Sequence, residues 1–355
     1  MSLRRSVLTA VLAAVVPALL SAQQRDGTRR FISIGNHPRV DGVRINFRDS
    51  EVDRVRGANI TLWRAHEDAD LGSISGLALG LPLTSAGDLT GAGIGLAGVE
   101  VDGDAHGLLV GGLGAGAGGD ARGIMLGGLG IGAGGRVHGI AVGGLGIGAG
   151  GGVSGITVGG LGVGSGGSVR GFAVGGLGVG AGGDARGILA GGLGAGIGGS
   201  LRGAALGGLG IGVGGDARGI LVGGLGAGVG GEIRGIAIGG LGVGAGQRIH
   251  GAAAGILGVG SPTIDGLAIG AYVRSEDVSG VVIAPVHFRA YPGADVRYLS
   301  VATVSYVEGH QHGLAIGVVN FAHSLNGLQV GLVNIVRDNP SGRRVLPIVN
   351  WGNNR

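Results

Sequence analysis

Cysteine and lysine are both absent from the 355 residues, proline is held to 8, and aromatic residues make up only 3%. Without cysteine there are no disulfides and no thiolate chemistry, so packing and hydrogen bonds must supply the stability. So few aromatics leave any core to Val, Ile, Leu and Ala, enough for a thin interior and too little for a thick globular one. Eight prolines exclude collagen, which needs abundant proline beside a glycine at every third position. What the chain does have is glycine, 91 residues of it, within a sequence that is 44% apolar and has a mean hydropathy of +0.46. Flexible glycine linkers are polar; this chain is not. The 26 basic residues are all Arg, and the formal charge of +4 falls to +2 once Arg4 and Arg5 are removed with a leader. Bulk charge therefore points to no nucleic-acid partner.

Residues 1–22 have the layout of a secretory signal: a basic head ending at Arg4-Arg5, the apolar stretch Ser6–Leu20, and Ala22 as a small residue before cleavage. The apolar stretch is shorter than the ~20 residues a spanning helix needs. The expectation is an exported bacterial protein, placed in the periplasm, at the outer membrane or on the cell surface.

A glycine recurs every 16 residues, at Gly107, Gly123, Gly139, Gly155, Gly171, Gly187, Gly203, Gly219, Gly235 and Gly251. The same phase continues loosely through Gly42, Gly57, Gly76 and Gly91 upstream, and through Gly266, Gly280, Gly313 and Gly327 downstream. This divides the chain into a signal peptide (1–22), degenerate N-terminal repeats or cap (23–104), regular repeats (105–264) and degenerate C-terminal repeats or cap (265–355). Alternation within a unit, as in Val169 to Asp184, predicts two short strands joined at Gly175-Gly176 and closed by a Gly-Gly-Asp turn. Helix is disfavoured, since each interior glycine costs about 1 kcal/mol relative to Ala.

The expected fold is all-β: a parallel β-solenoid of 16-residue coils with degenerate capping units. Each coil would stack on the last at about 4.8 Å, so that equivalent residues form ladders. The alternative is a transmembrane antiparallel barrel with one tilted strand per unit. It lacks the aromatic girdles and polar lumen such barrels carry. The alternation is read as placing Phe172, Val174, Leu177, Val179 and Ala181 in inner columns. It leaves Ala173, Gly178 and Gly180 on a bare outer face suited to self-packing.

His312-Gly-Leu-Ala-Ile-Gly-Val-Val-Asn320 and Asn326-Gly-Leu-Gln-Val-Gly-Leu-Val-Asn334 resemble the G-L-Q-[IV]-G-L-[VI]-N units of bacterial surface-repeat proteins from spirochaetes and Bacteroidetes. The ending Arg344-Val-Leu-Pro-Ile-Val-Asn-Trp351 is similar to the close of those proteins. The resemblance implies an exported, surface-associated protein and no reaction. The central units depart from it, with Gly178 and its equivalents where the family prefers Asn or a larger residue.

Two readings are open for the column preceding the periodic glycine, which runs His106, Arg122, His138, Ser154, Arg170, Arg186, Arg202, Arg218, Arg234, His250. Arg122, Arg170, Arg186, Arg202, Arg218 and Arg234 form a candidate anion-binding edge for a surface glycan. Alternatively this is a solvated edge whose acids, Asp120, Asp184, Asp216 and Glu232, offset the repulsion and whose charges prevent aggregation. His310 and His312 offer two nitrogens on one strand face, but no cysteine accompanies them, so no metal is expected. Gly111 to Gly116 contains G-x-G spacings without the helix or Lys-Ser/Thr of a phosphate loop. No nucleophile and base are brought together. The chain reads as a non-enzymatic scaffold or adhesion-type protein without cofactor, whose partners are a second copy, another surface component, a glycan or a membrane. Residues 281–311 break the spacing and concentrate Pro285, Tyr291, Pro292, Tyr298 and Tyr306. They are read either as an excursion carrying a specific contact or as a cap burying aromatics.

Overall fold

The computed structural model describes residues 30–66 and 68–353, so the signal-peptide residues 1–22 lie outside the described residues. The chain divides into two compact units, Met1–Gly151 and Gly152–Arg355. In the first, Ala121–Gly127 pairs in parallel with Ala105–Gly111 and Arg136–Gly143, with Arg122 opposite His106 and His138. In the second, Ala185–Gly191 lies between Val169–Gly175 and Leu201–Gly207, with Arg186 opposite Arg170 and Arg202. Each residue thus sits beside its own equivalent 16 positions away. This is the parallel solenoid, and it replaces the barrel alternative, which closes through antiparallel neighbours. Antiparallel pairing appears where Val345–Asn353 folds back on Val319–Val336 at the chain's end. Helix among the described residues is one 3-10 turn, Ser341–Arg343.

A representative coil consists of Ala185–Gly191 and Gly194–Ile197, with turns at the two glycine corners. Gly187 has φ +120°, and a Cβ there would lie 2.1 Å from the carbonyl oxygen of Gly171 in the preceding coil. Only glycine satisfies both demands. Every periodic glycine predicted upstream and downstream, from Gly42 to Gly327, shares this positive φ.

The in–out alternation passes through the corner unbroken. Ala185 points in and Arg186 out; beyond Gly187, Ile188 points out and Leu189 in. The expected inner columns are accordingly corrected. Phe172 and Leu177 are 41% and 50% exposed and Val174 is half-buried, whereas Ala173 is fully buried. Val179 and Ala181 do point inward. The bare outer face belongs to the second strand alone, through Gly178 and Gly180; Ala173 is core.

Interior volume is conserved coil by coil. Leu189 is flanked inside by Ala185 and Ala195, and Leu221 by Ala217 and Ala227. In the alternate coils the sizes invert: Ala205 sits with Leu201 and Ile211, and Ala237 with Ile233 and Val243. The three positions meet in space, because a Cβ built at Gly93, in the same register as Leu109, would strike Leu89 and Val99 side chains. One large central residue therefore substitutes for two large flanking ones, keeping neighbouring backbones at ladder distance.

Polar groups fill the terminal coils. Near the N-terminus the fully buried Arg44 is ion-paired to Asp49, and its Nη1 and Nη2 donate to Asn59 Oδ1 (3.0 Å) and Asn36 Oδ1 (3.1 Å). At the other end Asn320 Nδ2 donates to Asn334 Oδ1 (2.8 Å), and Asn350 Nδ2 on the returning strand to the Asn334 carbonyl (3.2 Å). Residues 281–311 are no excursion. They form most of Asp277–Ala290 and Asp295–Ile316, which pair in parallel and bury Phe288 completely. The period looked broken because Tyr298 stands opposite Gly280 in the corner row, with φ +85°.

Two stability outcomes follow from this packing. Leu189→Ala should cost about 2–4 kcal/mol by opening a cavity, and Ala185→Val or Ala195→Val should recover part of that in the double variant; urea unfolding midpoints of the four chains test the coupling. Tyr298→Gly, which relieves a positive φ while losing a side chain that is 67% exposed, should stabilise by about 1 kcal/mol, seen as a rise in Tm.

Candidate functional site

Within the second unit three kinds of row face outward side by side. First comes the Arg row on one side of the corner glycines: Arg170, Arg186, Arg202, Arg218 and Arg234, each the direct ladder neighbour of the next. Parallel neighbours lie about 4.8 Å apart, so this is a line of cations at near-regular spacing. Arg122 holds the equivalent place in the first unit, between His106 and His138. The structure thus brings the predicted edge residues together within each unit. Arg234 is paired with Glu232 at 2.8 Å, which lowers the Glu232 pKa and raises that of Arg234. Arg122 reaches Asp120 at 3.3 Å. Arg170, Arg186, Arg202 and Arg218 have no ion pair or side-chain hydrogen bond among the described residues.

The acidic turn residues have a role that the sequence reading missed. Asp184 Oδ1 accepts the backbone N–H of Ser200 one coil on (2.9 Å), and Asp216 Oδ1 accepts that of Glu232 (3.0 Å). In the first unit Asp104 and Asp120 do the same for Asp120 and Arg136, at 2.7 and 2.8 Å. These carboxylates clamp successive turns along the stack, and Asp120 pairs with Arg122 besides. The Asp120 pKa is lowered chiefly by the N–H of Arg136. A signal was present in the sequence, since Asp, Ser or Glu recurs at this turn position 16 residues apart.

The second kind of row is aliphatic. Across the corner glycines from the Arg row stand Ile156, Phe172, Ile188, Ile220 and Ile236, exposed by 41–47%. Two residues on come Val158, Val174, Leu206, Val222 and Ile238, also outward or half-buried. Leu161, Leu177, Leu193, Leu209, Leu225 and Leu241 border them at the far turn, each about half exposed. Isolated exposed apolar side chains are ordinary, but contiguous rows of them mark a surface built to be covered. The third kind is bare. A Cβ at Gly180, Gly196, Gly212, Gly228 or Gly244 would meet nothing within 4 Å.

His310 and His312 both lie on the outer side of Asp295–Ile316, with Gln311 between them buried. Nδ1 of His310 contacts Ser324 Oγ at 2.5 Å, and Nε2 of His312 lies 3.4 Å from Asp295 Oδ1. Among the described residues no group of three His, Cys, Asp or Glu side chains could hold a metal ion. The Asp295 pKa is lowered, first by its hydrogen bond from Arg297 and then by nearby charges including His312 and His310. The outer aromatics of this region pair among themselves: Tyr306 stacks on Phe321 with ring centroids 4.6 Å apart, and Arg289 lies over Tyr291.

The lowered carboxylate pKa values of Asp120, Glu232 and Asp295 have one sign. A folded pKa below the unfolded one adds stability that is complete above about pH 4 and is lost as pH falls through the folded values. Burial, with Arg289 and Arg274 nearby, lowers the His287 pKa as well, so Tm should slip as pH falls below about 6.5 and drop more steeply below about 4. In an Asp120→Asn, Asp295→Asn variant the steeper drop should be shallower; calorimetry across about pH 2–7 reads both.

No family model, curated protein or solved structure matches this chain.

Proposed function

We propose that this chain is an exported, non-enzymatic scaffold of the bacterial surface that works by docking along its side. The observation that carries this reading is the repetition of outward chemistry. Each regular coil of the second unit presents an Arg or its equivalent, aliphatic residues and a corner Leu, while its inner positions are spent almost wholly on small and aliphatic side chains. Catalysis concentrates different groups at one place; here nearly the same groups recur in coil after coil, as suits an extended partner. Export and surface placement rest on the signal-like residues 1–22 and on the surface-protein resemblance of residues 312–351. The expected result on fractionating the native cell is recovery in the envelope or surface fraction, with release by carbonate or urea and without detergent. Recovery in the cytosol, or a strict need for detergent, overturns the placement.

A second reading, of the Arg row as a binding edge for an anionic surface glycan, is favoured by the four unpartnered arginines. A line of guanidinium groups in ladder register offers a polyanion many weak contacts at once, which multiply into useful avidity. On a glycan array the wild type should bind phosphorylated or sulfated polymers. Changing Arg170, Arg186, Arg202 and Arg218 together to Gln should cut that binding at least tenfold and flatten its salt dependence. Unchanged binding by the four-Gln variant removes this reading.

A further inference from the structure

The aliphatic face of the second unit is a dimer interface: we propose that two copies pack face to face through the Ile and Val/Leu rows, related by a two-fold axis parallel to the coil stack. The proposal deepens the scaffold reading and rests on its premise that the outward rows are working surface. It does not depend on where the protein resides.

Area comes first. Seven coils, whose first strands run from Gly152–Gly159 to Arg248–Gly255, carry this face. From the Ile188 row to the bordering Leu193 row a coil spans six residues, so at about 3.3 Å per residue and about 4.8 Å per coil the face measures roughly 20 by 34 Å, or about 670 Å². A standard specific interface buries about 600–1,000 Å² on each partner, so one such face against another is the size a stable dimer needs. It is also larger than the few hundred Å² that a soluble monomer ordinarily leaves open.

Shape comes next. The rows repeat at the ladder spacing, and a second copy is a partner with that same spacing at every coil. Ile188 and Ile220 of one molecule can then settle between side chains of the other along the whole face. The residues are mostly β-branched or bulky aliphatics, which keep their rotamers and lose little entropy on burial.

Charge selects the orientation. The Arg row borders the face on one side and the corner Leu row on the other. A two-fold axis parallel to the strands would lay Arg row on Arg row, opposing like charges along the full length. An axis parallel to the coil stack turns the strands end for end, so that each Arg row comes over the partner's Leu row, where its aliphatic stems cover leucine and its guanidinium groups reach water. Every coil then faces its own equivalent, and the pair closes on itself without growing into a fibre.

The test uses the mature chain. Sedimentation velocity should show a dimer for the wild type. Ile188→Asp with Ile220→Asp should raise the dissociation constant roughly a hundredfold or more while leaving the circular dichroism spectrum and Tm in place, since both side chains point outward. Gly196→Asn with Gly228→Asn, on the bare second strand, should leave the dimer intact. Because the natural chain has no cysteine, Ile156→Cys and Ile236→Cys, each made alone, report orientation. With a short bis-maleimide each should crosslink to itself, whereas an axis along the strands would let only the mixture of the two react. A monomeric wild type, a dimer that survives the Asp changes, or one broken by the Asn changes overturns the proposal. So does a monomer that binds phosphatidylglycerol vesicles through the same isoleucines, which would make the face a lipid-binding one. Self-crosslinking of neither cysteine variant overturns the orientation. None of these outcomes alters the fractionation result that tests surface placement, so the two readings fail separately.

Discussion

The rest of this structure depends on how closely one coil's corner approaches the next. At Gly203 a Cβ would lie 2.1 Å from the carbonyl oxygen of Gly187, and at Gly219 it would lie 1.9 Å from that of Gly203. No side chain fits in that gap, and the backbone there has a φ that only glycine adopts without strain. The row of corners therefore fixes the stacking register and turns the chain between the Arg side and the Ile side of each coil. Tyr298 shows how strong the constraint is: it takes the same conformation in the same row, with Gly313 stacked against its carbonyl, and places its ring outside. Where a side chain must occupy a corner, the ladder holds its geometry and the residue bears the strain.

A fixed register leaves the interior little freedom, which explains the exchange of large and small residues within each coil. Stacked parallel strands tolerate neither a wide coil nor a narrow one between two standard ones. Leu189 with two alanines and Ala205 with Leu201 and Ile211 fill the same space, as volume-conserving swaps do in other cores. The coils near the two ends of the described residues use directed polar contacts. The buried Arg44–Asp49 pair with its amides, and the Asn320–Asn334–Asn350 series, replace nonspecific packing there. Losing one partner of such a buried pair is costly, which holds the coil to a single arrangement.

Much of the fold was legible in the sequence because the constraint that sets it is a glycine constraint. The period, the two strands per unit and the corner row from Gly42 to Gly327 all follow from glycine spacing. Which side faces inward was not legible. Alternation sorts the residues into two faces and holds through the corner glycine, but it does not say which face is inner, and side-chain size pointed to the wrong one. Phe172 and Leu177 look like core by type and lie outside; Ala173 looks like filler and is core. The coil at 281–311 was hidden because its corner is Tyr298 and not glycine. The Arg column was legible as a column, since ladder register follows from the period. The turn carboxylates were legible as a 16-residue recurrence, but their bond to the next coil's backbone N–H was not, because such a bond has no signature in side-chain type alone.

The outward placement of these bulky residues is itself something to be explained. Parallel stacking restricts the corners and the interior, but it places no demand on the identity of an outward residue such as Ile188 or Leu193 beyond a tolerance for strand geometry. Thr would satisfy that demand with the same β-branched backbone preference and without exposing apolar surface to water. Yet in the regular coils of the second unit the position of Ile188 holds Ile, Phe or Ala, and the far turn holds Leu in coil after coil. The interior does not select these residues, because they do not touch it, and solubility selects against them. The Arg row bordering them supplies the charge that keeps such a face from associating at random. Aliphatic rows bounded by cations on one side therefore have the form of a surface meant for one orientation of one partner, and that is the property of the molecule that its fold does not require.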